Sequence, residues 1–156
     1  MDFRIKSLAA EPFADLFGLS ETELAARHGR REVVAAKPGT PCRISLEEAE
    51  IGETVLLVNY LHQAGNSPYR SAHAIYVREH ARPARLAVNE IPDVIRSRLI
   101  SLRFFDAAHM MVAADVVPGD AVAEAIRAAF ADDRVAYGHV HNAKQGCFAA
   151  SVHRVG

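Results

Sequence analysis

His139-Val140-His141 is the sharpest chemical signal in the chain. Residues two apart on an extended strand project from the same face, about 6.6–6.8 Å apart, so both imidazoles point together, with Tyr137 beside them. Two such nitrogens can share a metal ion. A catalytic zinc or iron site takes a third protein ligand, and no His-x-x-Glu-His or His-Glu-x-x-His pattern supplies one nearby. Only residues far along the chain are left for that place: His62, His73 and Asp115. The sequence by itself therefore assigns no metal ligand. Histidines on a half-buried strand, held by hydrogen bonds, are the plainer expectation, with His139 and His141 kept as acid/base candidates.

His73 shares a strand face with Ile75 and Val77, so its ring is expected at the core or in a pocket opening from it, where each nitrogen needs a partner. Tyr60 and His62 share a face with Leu56 and Val58 on another strand. They meet His73 if the two strands are neighbours, which spacing alone does not decide. Cys42 sits in the turn Lys37-Pro38-Gly39-Thr40-Pro41-Cys42-Arg43, where Arg43 could lower the thiol pKa and make a nucleophile; a small buried residue is the commoner fate of such a cysteine. Cys147 opens the last strand opposite His141 and Asn142, and a one-residue shift decides which of the two it faces. Pro68-Tyr69-Arg70-Ser71 is a loop that delivers an aromatic ring, a guanidinium and a hydroxyl, a suitable clamp for an anion. The candidate site is therefore His139, His141, His73 and Cys42 for catalysis, with Arg43, Tyr60, His62, Tyr69, Arg70 and Asn142 holding a small anionic ligand.

These residues must be positioned by a chain of 156 residues, the length of one domain, expected to span positions 1–156. Half of the residues are hydrophobic, enough for one core. Lys and Arg total 18 against 19 Asp and Glu, a net charge of −1 with no block of one sign, which argues against a nucleic-acid partner. The positive charge is almost all arginine, whose fork suits carboxylates and phosphates, although an arginine-biased composition explains it as well. No Gly-x-x-x-x-Gly-Lys, Gly-x-Gly-x-x-Gly or Gly-x-Ser-x-Gly motif occurs. No run approaches the roughly 20 apolar residues of a membrane span, and the first residues lack a signal-peptide core, so a cytoplasmic location with no membrane partner is expected. The two cysteines are then expected as free thiols.

Ser20 with Glu23 and Ser45 with Glu48 fit a capping box, with helix stops near Gly29 and Gly52. Pro12 suits the start of a short helix ending near Gly18. Val122, Ala125, Ile126, Ala129 and Phe130 recur at helical spacing, predicting a helix over Asp120 to Asp132; another is expected from Pro92, carrying Val94, Ile95, Leu99 and Ile100 inward. Glu53 to His62 reads as a central strand covered on both sides, and Ala72 to Glu79 alternates. Leu102 to Ala107 with Met110 to Val117, and Val135 to Asn142 with Cys147 to Arg154, read as hairpins. The pattern predicts an α+β fold, a mostly antiparallel sheet with helices packed on one face.

Several strings also carry a resemblance: Pro38-Gly39-Thr40-Pro41-Cys42-Arg43-Ile44-Ser45-Leu46, Val55-Leu56-Leu57-Val58-Asn59-Tyr60-Leu61-His62, and Pro68-Tyr69-Arg70-Ser71-Ala72-His73-Ala74-Ile75-Tyr76-Val77-Arg78. With Val135 to Ala143, Gly146-Cys147, Phe3-Arg4-Ile5 and Met110-Met111-Val112, the chain resembles the bacterial family called domain of unknown function 1203. The resemblance implies a stand-alone bacterial protein of one domain; it brings no activity and no cofactor.

Two functions fit. One is an enzyme or metal-dependent protein whose His/Arg/Tyr pocket acts on a small anionic ligand; the other is a non-catalytic module that binds a small ligand or pairs with itself as a homodimer through exposed strand edges. The first requires that side chains spread over more than a hundred positions gather around one cavity.

Overall fold

Ile100, Leu102 and Phe104 alternate with Ser101, Arg103 and Phe105 along β5 (Leu99–Phe105), a period of two that gives the strand one apolar and one chemically equipped face. In the computed structural model, which describes all 156 residues, β5 lies inside a five-stranded antiparallel sheet. Its other strands are β1 (Phe3–Lys6), β6 (Met111–Pro118), β7 (Tyr137–Asn142) and β8 (Phe148–Arg154), in the order β1-β8-β7-β5-β6. Ile100, Leu102 and Phe104 join Phe3, Ile5, Val140 and Val152 on the apolar face. Covering that face are Val122, Ile126 and Phe130 of α4 (Val122–Phe130) and Val94 and Ile95 of α3 (Asp93–Arg96).

A second antiparallel sheet has β3 (Thr54–Gln63) between β2 (Gly29–Val33) and β4 (Ser71–Arg78). Leu56, Val58, Ile75 and Val77 pack there against Phe13 of α1 (Glu11–Ala14) and Leu24 of α2 (Glu21–Ala26). Phe148, the first residue of β8, belongs to this second cluster, so β8 ties the two sheets together. The fold is α+β with antiparallel sheets, as the pattern of hairpins and few helices predicts.

Two β-bulges lie where the sheets meet. Tyr60 pairs with His73 and Gln63 with Ser71, leaving one extra residue on β3. Val140 pairs with Ala150 and His141 with Phe148, leaving Ala149 extra on β8. Each bulge re-aims the side chains beside it.

The structure corrects three expectations. Ser45 to Gly52 is no helix: Leu46 takes φ 53°, and Glu48 turns its carboxylate to the backbone N–H groups of Gly39 and Thr40 instead of closing a capping box. The helix after Pro92 stops at Arg96, and Leu99 and Ile100 open β5; Gly119 packs on this stop so closely that a Cβ there would lie 2.2 Å from the Arg96 carbonyl oxygen. Ser20 does cap α2, its Oγ accepting from the Glu23 N–H at 3.1 Å, but the turn falls at His28, φ 56°, and Gly29 begins β2. Two short strands were not expected from the sequence: β1, only four residues long although Phe3-Arg4-Ile5-Lys6 alternates, and β2, whose Gly29-Arg30-Arg31-Glu32-Val33 does not.

Candidate metal centre

His139 and His141 project from the equipped face of β7, as strand periodicity requires, and β5 sets Arg103 opposite His139 and Ser101 opposite His141. His62 reaches the same point from β3, at the bulge between Tyr60 and Gln63. One nitrogen from each of His62, His139 and His141 lies within 4.8 Å of the other two. The ring centroids are 4.8 Å apart for His62 and His141 and 6.1 Å for His62 and His139. Phe148 holds the arrangement from behind, stacked on His62 (5.7 Å, 7° between planes) and edge-on to the other two rings. A ring at that position excludes water from one side and fixes His62 against its partners.

Of the three rings only His141 makes a hydrogen bond. His141 Nδ1 lies 2.9 Å from the Gly146 carbonyl oxygen; since a carbonyl only accepts, Nδ1 carries the proton and Nε2 presents its lone pair. That Nε2, together with Nδ1 of His62 and Nδ1 of His139, is buried without any partner. Of the hydrogen bonds expected for His139 and His141, only that of His141 to Gly146 is present, and three imidazole nitrogens in one cluster stay without a partner where buried polar atoms are nearly always paired. Burial pushes the pKa of His62 and His139 down to about 4 and that of His141 to about 3, with Arg103 and the neighbouring rings adding repulsion. All three are therefore neutral near pH 7, the form in which imidazole binds metal.

A divalent ion with Zn–N bonds of about 2.0–2.1 Å sets tetrahedral ligand nitrogens roughly 3.3 Å apart, so small ring rotations from the present spacing close the site. The bond from His141 to Gly146 is the outer support that metal-bound histidines commonly have. Three imidazoles and no carboxylate form a donor set for zinc and its transition-metal neighbours, not for calcium or magnesium.

In front of the histidines lies a hollow of about 220 Å³, lined by His62, His141, Gln63, Tyr69, Arg70 and Arg103 among others. No aspartate or glutamate lines it. Burial holds the Arg103 guanidinium below its usual pKa. A larger depression of about 890 Å³ runs along Arg78 to Arg85; it contains none of the three histidines and no orphaned buried atom, so size alone is not the guide.

The residues singled out from sequence separate into groups. His62, Tyr69, Arg70, His139 and His141 gather at the centre or its hollow. His73, opposite Tyr60 on β4, stands outside the cluster with Nδ1 3.1 Å from the Ala74 carbonyl oxygen, though close enough to repel a proton from His62. Tyr60 turns away to pack between Phe13 and Phe148. Cys42 is buried, its sulfur accepting from the N–H groups of Ile44, Ser45 and Arg78, with no histidine in reach. Arg43 is a buried strut: Nε donates to the Phe148 carbonyl at 2.8 Å and Nη2 to the Cys147 sulfur at 3.0 Å. Cys147 faces Asn142, whose Nδ2 lies 3.6 Å from its sulfur. Both cysteines are free. Asp115 lies exposed on the edge strand β6. Sequence reasoning missed Arg103, although alternation along β5 marks its face, and it missed the contact of Gln63 and His109 with the Tyr137 hydroxyl at 3.0 and 2.7 Å.

Two antiparallel sheets joined through β8, with an all-imidazole cluster at their junction, define an α+β protein with a candidate transition-metal centre. A family model described as "Protein of unknown function (DUF1203)" matches residues 39–154, and the chain belongs to that family. The matched stretch contains β3 to β8 and every residue of the centre and its hollow. Neither the curated proteins nor the solved structures hold a match to this chain. No helix is long and apolar enough to cross a membrane.

Proposed function

We propose that the protein is metal-dependent, binding one divalent transition-metal ion through His62, His139 and His141 and using an open coordination position on the side of the hollow. The observation that carries this reading is the convergence of three imidazoles, His139 and His141 buried and His62 half-buried, each with a buried nitrogen that has no partner. Three protein ligands with a free position is the pattern of catalytic zinc, where the ion polarises a bound oxygen or lowers the pKa of bound water. In that chemistry the protein's own residues do the positioning: Gly146 fixes the His141 tautomer, Phe148 keeps the rings in place, and Arg70 and Arg103 attract an anionic ligand.

Elemental analysis of the purified protein beside its His62→Ala and His141→Ala forms tests the reading, with circular dichroism to confirm folding. The expected result is about one equivalent of zinc or a neighbouring metal in the wild type and none in either variant. A wild-type protein that holds no metal as purified, and takes none after incubation with zinc and gel filtration, overturns it.

A further inference from the structure

Arg103 stands in an unusual position for a half-buried guanidinium. It carries five N–H donors, yet its one hydrogen bond is a long one, from Nε to the Ser101 hydroxyl at 3.4 Å, and no carboxylate pairs with it. The contrast with the other shielded arginines is sharp. Arg43 gives its donors to Pro41, Cys147 and Phe148, Arg154 to Phe130, Asp132 and Val135, and Arg98 to Glu48 and Val94. Arg103 instead keeps its donors free while lining the hollow that His62 and His141 also line. Arg70 stands on the loop across from it, tied by a single bond to the Ala64 carbonyl and likewise without an acidic partner.

We infer that this hollow is a binding site for a small organic oxyanion, with a carboxylate or phosphate head held by Arg103 and Arg70 next to the three histidines. A cation beside uncompensated guanidinium is an unfavourable neighbour in a partly dry site, and an anion between them removes the repulsion, so metal and anion favour each other's binding. Guanidinium recognises carboxylate and phosphate oxygens in pairs, which suits an oxyanion better than a halide. At about 220 Å³ the hollow lies below the roughly 300–1,000 Å³ of sites for drug-sized ligands, so the molecule is small. Tyr69, Phe105 and Met111 give the wall an apolar side for a short carbon tail.

The inference rests on the metal-centre reading for its placement, and cobalt(II) separates the two. Full-length protein loaded with cobalt(II) is titrated with acetate, with inorganic phosphate and with acetamide as the neutral counterpart, following the visible ligand-field bands, in the wild type and in Arg103→Met. The expected result is a spectral change with acetate or phosphate and none with acetamide, about tenfold or more weaker in Arg103→Met, at unchanged cobalt stoichiometry. The tighter of the two anions identifies the head group. Equal anion affinity in the two proteins, an equal response to acetamide, or no response to either anion overturns the inference and leaves the metal centre standing. If cobalt does not bind, the metal reading fails, and calorimetry of the same anions on metal-free protein decides this one: binding lost in Arg103→Met supports it, and absence of binding overturns it.

Discussion

Replacing His139 by leucine should stabilise the metal-free protein while removing its ability to be stabilised by zinc. His139 is buried, its Nδ1 has no partner, and the rings of Phe105 and Phe148 meet it edge-on at 5.1 and 5.2 Å between centroids. Without metal, an unsatisfied buried nitrogen of this kind costs about 1–3 kcal/mol, and leucine of similar bulk in that aromatic surround loses the penalty while keeping the packing. Allowing for imperfect fit, the gain is about 1–2 kcal/mol. At roughly 2–4 °C per kcal/mol for a chain of this size, the melting temperature in the presence of a chelator rises by about 2–8 °C. Zinc reverses the order. At a free concentration a hundred times its dissociation constant, a ligand that binds only the folded state adds about 2.7 kcal/mol, or about 5–11 °C, to the wild type and almost nothing to a variant with two histidines left. Calorimetric melts of both proteins, with chelator and with zinc, give the four numbers needed. A His139→Leu protein more than about 1 kcal/mol less stable than wild type in chelator would show that the imidazole is a satisfied structural group, and the argument from orphaned nitrogens would fail.

In chelator the wild type should also lose stability as the pH falls from about 6.5 toward 4. The unfolded histidines take up protons near their ordinary value while His139 and His141 stay neutral down to about 4 and about 3, so the unfolded state binds more protons throughout that interval. Each such histidine contributes a slope of up to about 1.4 kcal/mol per pH unit, and urea midpoints that stay level between pH 7 and pH 5.5, above most carboxylate titration, would contradict it. Away from the site, Gly119→Ala should cost about 3 kcal/mol, since its Cβ would meet the backbone oxygens of Arg96 and Ile95 at 2.2 and 2.3 Å and neither can swing aside. Gly18→Ala, with nothing within 4 Å of the added carbon, serves as the near-neutral control in the same urea titration.

The parts of this protein legible in its sequence are those that depend on short-range periodicity. A period of two put His139 and His141 on one face, marked both C-terminal hairpins, and identified β4; a period of 3.6 marked α4. The capping box shows where such reasoning ends. Ser20 with Glu23 and Ser45 with Glu48 look alike, yet only the first starts a helix, because Glu48 has a stronger offer from two backbone N–H groups and from Arg98 in the folded chain. A residue-spacing rule cannot see a partner fifty positions away.

Choosing His62 over His73 and Asp115 as the third member was beyond the sequence for a deeper reason. His62 stands on a strand of the other sheet, and its approach depends on three things that no local pattern encodes: the bulge at Tyr60 to Gln63, the bulge at Ala149, and the seating of Phe148 in the second sheet's core. A one-residue slip in either ladder would turn its side chains to the opposite face. The two irregularities therefore converge on the one place where the chain leaves buried nitrogens unpaired, although regular pairing would give each strand a more uniform ladder. Bulges placed to aim side chains, and polar atoms left without partners, are both features a fold would shed if stability alone shaped it. Their coincidence at His62, His139 and His141 is what separates this cluster from a buried polar residue such as Arg43, each of whose guanidinium nitrogens donates to an atom of the protein itself.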